Sequence, residues 1–417
     1  MRKSSFPLPS HLAVLLCAAA VVPPVAAQIA AQGSGGSSPW YVGVAQTFSH
    51  ESNLLRLREG EAVPAGSRES DTVSSTALVA GIDQRIGRQR LTGSGSLRAN
   101  RYNNNQAFNN NGYGLNLALD WETVYTLSGR LSVGADRQQR PELRGRNNEV
   151  LTSGNTETAQ RAGASARVGL AGPLGLEVGL ESSRADYGNP AAEYAEYRQQ
   201  GASAGVRYRL GGASSVALSV RQTQYDYPNL LFTRPDPNDR RKRNEVDLSG
   251  QWRPTGASSF DARIGRGQTR HDQLSERDFA NTTGALSWAW TPGGRLTLNT
   301  RVARDTGQSS DFATTAFSQT TDLLRVAAEY ALSGKTALSA SVQANRRQLA
   351  GNGQFLVGLS GRDDGNSVAL GVRWEALRSL TLSCQASHDR RGTNTNPLLN
   401  DAYSANVYSC TGQFVLQ

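Results

Sequence analysis

The sequence is poor in the residues that usually mark a reactive site or a large soluble core. Among its 417 residues are one methionine, three cysteines, four histidines and ten phenylalanines. Hydrophobic residues make up 38% and the mean hydropathy is −0.47, a thin core for this length. That composition argues against a large α/β enzyme. Long apolar runs are missing too. The stretch from Leu12 to Val22 is short of the ~20 residues a membrane helix needs. It follows Arg2 and Lys3 and precedes Val25-Ala26-Ala27, so it reads as a signal peptide cleaved before Gln28. Cys17 falls inside it. Losing Arg2 and Lys3 lowers the formal charge from +9 to +7. Lysine is nearly absent: Lys3, Lys242 and Lys335 are the only three, and the other basic residues are arginine. A GC-rich genome explains that bias, and so does a need for planar donors to carboxylate, sulfate or phosphate.

What is present is alternation. Tyr113, Leu115, Leu117, Leu119 and Trp121 form one face of a ten-residue stretch, and Gly114, Asn116, Ala118 and Asp120 form the other. Period two is the mark of a half-buried strand. The pattern recurs at 90–99, 161–170, 202–210, 324–332 and 368–374. Short turns at 86–89, 126–129, 171–175, 210–214, 253–259, 291–295, 332–336 and 375–379 alternate with longer polar loops such as 50–71, 137–157, 227–244 and 346–366. Eight short turns and nine long loops separate 18 strands, with 16 as the smaller alternative.

The aromatic positions identify the solvent. Trp40 begins the first strand. Trp121, Trp252, Trp290 and Trp374 each end a strand that enters a short turn, as do Tyr208 and Tyr330, and Trp288 lies one pleat deeper. All fall at one level beside the short-turn rim. Indole and phenol collect at a bilayer interface in this way, while a soluble sandwich has no reason to align them. Ten residues at ~3.4 Å each, tilted ~40°, cross the ~25 Å apolar band of an outer membrane. Lipid cannot satisfy an open sheet edge, so the sheet must close. The expected fold is all-β, an antiparallel up-and-down transmembrane barrel over residues 40–417. Signal residues 1–27 and a flexible periplasmic leader at 28–39 precede it. Short turns lie in the periplasm and long loops outside.

The last two strands supply a check on register. Aligning Cys384 with Cys410 also aligns Leu382 with Gly412 and Leu380 with Phe414, so both greasy faces coincide. A disulfide between the two cysteines is expected on that face, in an exported compartment that permits it. The terminal strand resembles the assembly signal of outer-membrane barrels but ends in Gln417, not an aromatic residue.

The lumenal face is the informative surface. By parity it carries Arg90, Arg98, Arg161, Arg167, Arg207, Arg209, Arg221, Arg263, Arg301, Arg325 and Arg373, with Asp120, Glu177, Glu181, Asp247, Asp261 and Glu329 on the same face. Such a wall either pairs its charges to hold the barrel round, or presents a cationic surplus to anionic solutes or an anionic polymer. Enzyme signals are weak. His50, His271 and His388 lie in loops or at their bases without metal-ligand spacing, and no serine is singled out to complete a site around His388-Asp389. No catalytic residue, metal or cofactor is expected. "RPDPNDR" (234–240) and "GRDDGNS" (361–367) are weighed as calcium loops and read more simply as turns. "NDRRKRN" (238–244) reads as a basic outer loop able to touch lipopolysaccharide phosphates; nucleic acid is not an expected partner. With so short a leader, neither the plug domain of an energised receptor nor the passenger of an autotransporter is expected.

At "FSHESNLLRL" (Phe48–Leu57) an aromatic strand end, a short polar–acidic run, Asn, an apolar pair and Arg follow in order. This resembles the start of the barrel proteins encoded in exopolysaccharide operons, the EpsL-type or β-barrel porin 2 family, whose members often carry Asp within the stretch that is Ser49–Ser52 here. The resemblance implies an outer-membrane conduit for an anionic exopolysaccharide, working with periplasmic export proteins. The residues by themselves support a diffusion porin for small anionic solutes as the alternative, and an adhesion barrel that works through its loops as a third.

Overall fold

The computed structural model describes residues 38–417 apart from 124–125, 141–149, 170–171, 212, 231–237, 274, 276–277, 313–314, 352–359, 394 and 396–401. The expected signal peptide, Cys17 and nearly all of the leader lie outside the described residues, as does most of the 234–240 stretch. The strands are β1 (Trp40–Glu51), β2 (Asp71–Ile86), β3 (Gln89–Tyr102), β4 (Asn110–Glu122), β5 (Leu127–Gln139) and β6 (Thr156–Gly169). They continue as β7 (Leu174–Tyr187), β8 (Tyr197–Gly211), β9 (Ser214–Tyr227), β10 (Asp239–Thr255), β11 (Ser258–His271) and β12 (Phe279–Trp290). The last are β13 (Leu296–Phe312), β14 (Thr315–Ala331), β15 (Thr336–Gly351), β16 (Ser360–Glu375), β17 (Leu380–Arg391) and β18 (Tyr403–Leu416). Each pairs antiparallel with its sequence neighbours, and β1 also pairs with β18, so 18 strands close into a barrel.

Pairing keeps the apolar faces together. Leu97 of β3 sits opposite Tyr113 of β4, Leu117 opposite Val133 of β5, and Val220 of β9 opposite Val246 of β10. These outward residues are exposed: Leu97 by 62%, Leu180 by 64% and Leu370 by 61%. A contiguous apolar surface of this extent is incompatible with water and is what lipid requires. No helix of the described residues is long and apolar enough to cross a membrane; the crossing is made by strands. At the short-turn rim Trp252, Phe260, Trp288 and Trp290 stack in series, with ring centroids 5.3, 5.9 and 5.6 Å apart. Trp288 Nε1 donates to Ser258 Oγ at 2.9 Å. Trp40, Tyr208, Tyr330 and Trp374 are exposed at the same rim. The Trp121 indole lies over Gly129, where a Cβ would come within 2.4 Å of the ring.

Three connections differ from the sequence expectation. The strands run 12–17 residues, longer than ten, so that 239–244 belongs to β10 and 360–366 to β16. The strands outrun the lipid band because their outer ends pair with polar and charged residues on both faces. Secondly, β13 and β14 are joined through 313–314 alone, so short and long connections do not alternate there. Thirdly, 361–367 is no calcium loop. Asp363 and Asp364 point to opposite faces of β16; Arg347 takes the first at 2.6 Å and Arg346 the second at 3.0 Å.

The well-packed hydrophobic core of the described chain is in the loops. Leu54, Leu55, Leu57, Phe108 and Leu151 come from three different connections and bury one another, with Tyr102, Val150 and Ala191 against them. The "ESNLLRL" segment is thus a folded anchor and not a plain polar loop. Asn53 Nδ2 donates to Leu57 O at 2.9 Å and to Ser404 O at 3.1 Å, while Ser52 N donates to Asn406 O at 2.9 Å. The loop therefore stitches β1 to β18 where the barrel closes. Arg56, at φ 54°, pairs with Glu51 and lies over the Tyr403 ring at 5.0 Å. Burial opposes its charge, yet Glu51 and Tyr403 hold the guanidinium above its ordinary range.

Cys384 and Cys410 are opposite each other across β17–β18 on the lipid-facing side and are bonded, with Cα atoms 4.1 Å apart. The bond closes a sequence separation of 26 residues. Chain-entropy arguments give about 3 kcal/mol for such a loop, and the flanking ladders reduce it. Reduction is expected to lower the temperature at which the folded form converts to the slower-migrating unfolded form on a detergent gel. An unchanged transition with and without dithiothreitol would show that the ladders alone fix the last hairpin.

Candidate functional site in the lumen

Residues alternating with the lipid-facing ones point inward. The structure places all eleven candidate arginines on that inner face, together with the six acids read beside them. They do not form one uniform cationic wall. Arg90 is held by Asp83 at 2.7 Å, Arg161 pairs with Asp136, and Arg167 and Arg207 share Glu177. Arg263 reaches Asp247 at 3.1 Å and Asp305 at 3.9 Å, and Arg373 meets Glu329 at 3.0 Å. These pairs brace the wall. The expected surplus is local.

It lies where pairing fails. Arg98, Arg209, Arg221, Arg301 and Arg325 have no ion pair among the described residues. Arg221 is level with Glu245, but Arg243 occupies that carboxylate at 2.9 Å. Arg301 and Arg325 are the sharpest case. They sit directly opposite each other across β13–β14. Cross-strand partners have Cβ atoms about 4.5–5.5 Å apart, and like charges there repel. Their flanking positions are Ser287 of β12 and Gln343 of β15, giving a lumenal row Ser287–Arg301–Arg325–Gln343 without a carboxylate. Arg301 Nη1 donates to Ser287 Oγ at 3.4 Å, and its Nε is buried with no hydrogen-bond partner. The Arg301 Nε is thus a donor without an acceptor on a residue directly opposite a second arginine; Asp305, farther along β13, is the acid close enough to act on Arg301 electrostatically.

The opposite wall has a different character. Around the closure, β18 turns Ser409, Thr411 and Gln413 inward, and β17 turns Thr381, Ser383 and Gln385 inward. This neutral wall lies half a barrel away from β8–β11, where charged lumenal residues concentrate. Toward the long-loop rim, Tyr225 and Tyr227 stack at 6.5 Å, and Arg241 lies over their rings at 4.9 and 4.4 Å. Sequence reading stopped at the supposed loops 227–244 and 346–366, so it missed Arg241, Arg243, Arg347 and Asp363. Continuing the parity of β10, β15 and β16 outward finds them all.

The outer loops cover the lumenal strand ends and are sewn to one another. Arg68 N donates to Asn105 Oδ1 at 2.8 Å, Gly154 N to Ala107 O at 3.1 Å and Asn189 Nδ2 to Ser153 Oγ at 3.2 Å. Asp71, Glu157, Ala185 and Tyr197, all facing inward at the long-loop rim, are buried beneath this cover.

His388 and Asp389 are neighbours in β17 and face opposite ways, so they cannot act on one atom; His388 Nδ1 contacts Asn406 Oδ1 at 2.7 Å. His50 contacts Thr72 Oγ1 at 3.0 Å on the outer face, and His271 is buried beside Asp278 at 3.4 Å. All three histidines lie within strands.

No protein-family model matches the chain. No curated protein matches it either. Among solved structures, the outer membrane protein OpdK of Pseudomonas aeruginosa is similar at 12% identity and a TM-score of 0.46, covering 90% of this chain and 99% of its own. OccK2 (OpdF) of the same organism, solved with glucuronate, is similar at 13% identity and 0.46, covering 91% and 98%. The siderophore receptor PirA, also from Pseudomonas aeruginosa, is similar at 9% identity and 0.41, covering 90% and 80%. The likeness is one of sheet architecture, and what the lumen does is read from its own side chains.

Proposed function

We propose that this chain is an outer-membrane channel that passes small anionic solutes down their gradient. The observation that carries the reading is the Arg301–Arg325 pair, two lumenal arginines directly opposite each other in a cross-strand row that holds no carboxylate. An ion that enters gains contacts with Ser287, Arg301, Arg325 and Gln343 in turn. In a wet lumen each contact is weak enough to exchange, so the ion also leaves. The braced pairs elsewhere keep the wall round, and no bond is made or broken. The test is the reversal potential of the reconstituted chain across a bilayer with a potassium chloride gradient. An anion-selective sign is expected; a cation-selective pore, or none, would overturn the proposal.

A second reading, export of an anionic exopolysaccharide, rests on two observations. One is the resemblance at Phe48–Leu57. The other is the Tyr225–Tyr227 stack capped by Arg241, because sugar rings lie well on aromatic faces and uronate groups pair with guanidinium. A strain lacking the chain separates the two readings. Polymer lost from the medium and held in the periplasm favours export; unchanged secretion leaves the solute channel.

A further inference from the structure

The outward face above the lipid band carries its own pattern of charge, independent of what the lumen passes. On β13–β16 the outward cations are matched by acids. Arg304 is held by Asp322 at 2.7 Å, Arg346 by Asp364 at 3.0 Å, and Arg362 by Asp364 at 3.5 Å. On β7, Arg184 is held by Asp186 at 2.7 Å. On β10–β11 the matching stops. Lys242 lies directly opposite Arg270, and Arg266 follows on the same face two steps of alternation nearer the membrane, beyond Gln268. All three are exposed. Among the described residues none of them has an acidic partner; Arg266 Nη1 donates only to Thr282 Oγ1, at 3.2 Å. The stretch 238–244 is therefore no basic loop: Arg240 and Lys242 face outward, while Arg241 and Arg243 face the lumen.

A second feature coincides with these cations. The lipid-facing wall is grooved across β8–β12, a concavity of about 780 Å³. Its apolar floor includes Ala204, Val220 and Val246, and its polar edge includes Gln222, Asn244 and Arg266. Gln222 Nε2 donates to Asn244 Oδ1 at 3.0 Å, which fixes that edge. Arg266 is level with Val246, so a positive charge enters the apolar band on this side. The floor continues into that band, and the cations rise from it toward the outer rim. From Arg266 to Arg270 is about 13 Å at the usual strand rise.

We infer that this face is a seat for one lipopolysaccharide molecule, with acyl chain in the groove and the glycolipid phosphates on Arg266, Lys242 and Arg270. A free phosphate has no use for the apolar floor, and a neutral lipid has none for three unpaired cations. Charge-assisted bonds to phosphate are among the stronger contacts available at such an interface. The glutamine and asparagine side chains of the edge offer further donors to sugar hydroxyls.

The experiment uses the full chain in lipid nanodiscs, with bound lipid A counted by native mass spectrometry. Wild type is expected to carry a bisphosphorylated lipid A at a tenfold lower concentration than the triple variant Lys242→Ser, Arg266→Ser, Arg270→Ser. The control Arg304→Ser, Arg346→Ser, in which the removed cations were acid-matched, is expected to bind like wild type. A parallel measurement needs no variant: dephosphorylated lipid A should bind wild type at least tenfold more weakly. Equal retention by the triple variant, equal binding of the dephosphorylated lipid, or equal competition by phosphatidylglycerol would each overturn the assignment.

Discussion

Replacing Arg301 and Arg325 together with alanine is expected to cut the chloride-to-potassium permeability ratio about thirtyfold in 0.1 M salt, since a charge ~4 Å away contributes about 1 kcal/mol even at the dielectric of water. Two such guanidiniums give about 2 kcal/mol, and each 1.4 kcal/mol is a factor of ten. The neutral lumenal partners Ser287 and Gln343 offer an anion no comparable attraction. The variant should fold, because it removes a like-charge opposition and a buried guanidinium nitrogen with no hydrogen-bond partner. Substituting both with glutamate should reverse the sign of selectivity. Salt provides an internal check: the screening length falls from about 10 Å at 0.1 M to about 3 Å at 1 M, so the difference should shrink in concentrated salt. By contrast, Arg90→Ala exposes the Asp83 carboxylate it now holds, and it acts at the short-turn rim away from this row. A folded double variant with the wild-type reversal potential would remove the row from permeation.

Leu55→Asp is expected to release the outer loops while leaving the barrel intact. Leu55 is fully buried in the cluster formed with Leu54, Leu57, Phe108 and Leu151. An unpaired carboxylate there costs several kcal/mol, more than the few hydrogen bonds of one loop supply. Leu55→Ala should act in the same direction, by about 3 kcal/mol. The loop adds a few bonds across the β1–β18 closure, but those two strands are also paired along ten residues, so the gel mobility of the folded form should persist. Two readouts follow. Protease added to intact cells should cleave between β1 and β2 in the variant and spare wild type. Single-channel conductance should rise, because the loops now cover inward-facing residues such as Asp71, Glu157 and Tyr197. Wild-type resistance to protease in the variant would mean that the loop core does not hold the cover closed.

The barrel was legible because lipid leaves little freedom. A strand with lipid on one side and an aqueous lumen on the other must alternate, and a one-residue slip would reverse both faces. Leu380, Leu382 and Cys384 against Phe414, Gly412 and Cys410 therefore set the register of the last hairpin from the sequence pattern, and the structure has that register. The strand number came from turns, which announce themselves locally through Gly, Pro and Ser. The strand ends were not legible. Beyond the lipid band both faces are polar, so alternation of hydrophobicity disappears while hydrogen bonding continues. That is why 239–244 and 360–366 read as loops.

The sequence by itself determined which side chains face lipid and which face the lumen, because parity along a paired strand is a local property. It also set the closed, antiparallel architecture, because an open edge in hydrocarbon has no partner. Only the tertiary structure decided which lumenal arginines are left without an ion pair among the described residues. Glu177 sits between Arg167 and Arg207, and Arg243 takes Glu245 from Arg221. Arg301 instead finds Arg325 across its strand. Pairing of charges depends on the neighbouring strand's register and side-chain reach, which no single strand contains. The loop core was decided at the same level: Leu55, Phe108 and Leu151 meet only because three separate connections converge over one side of the barrel.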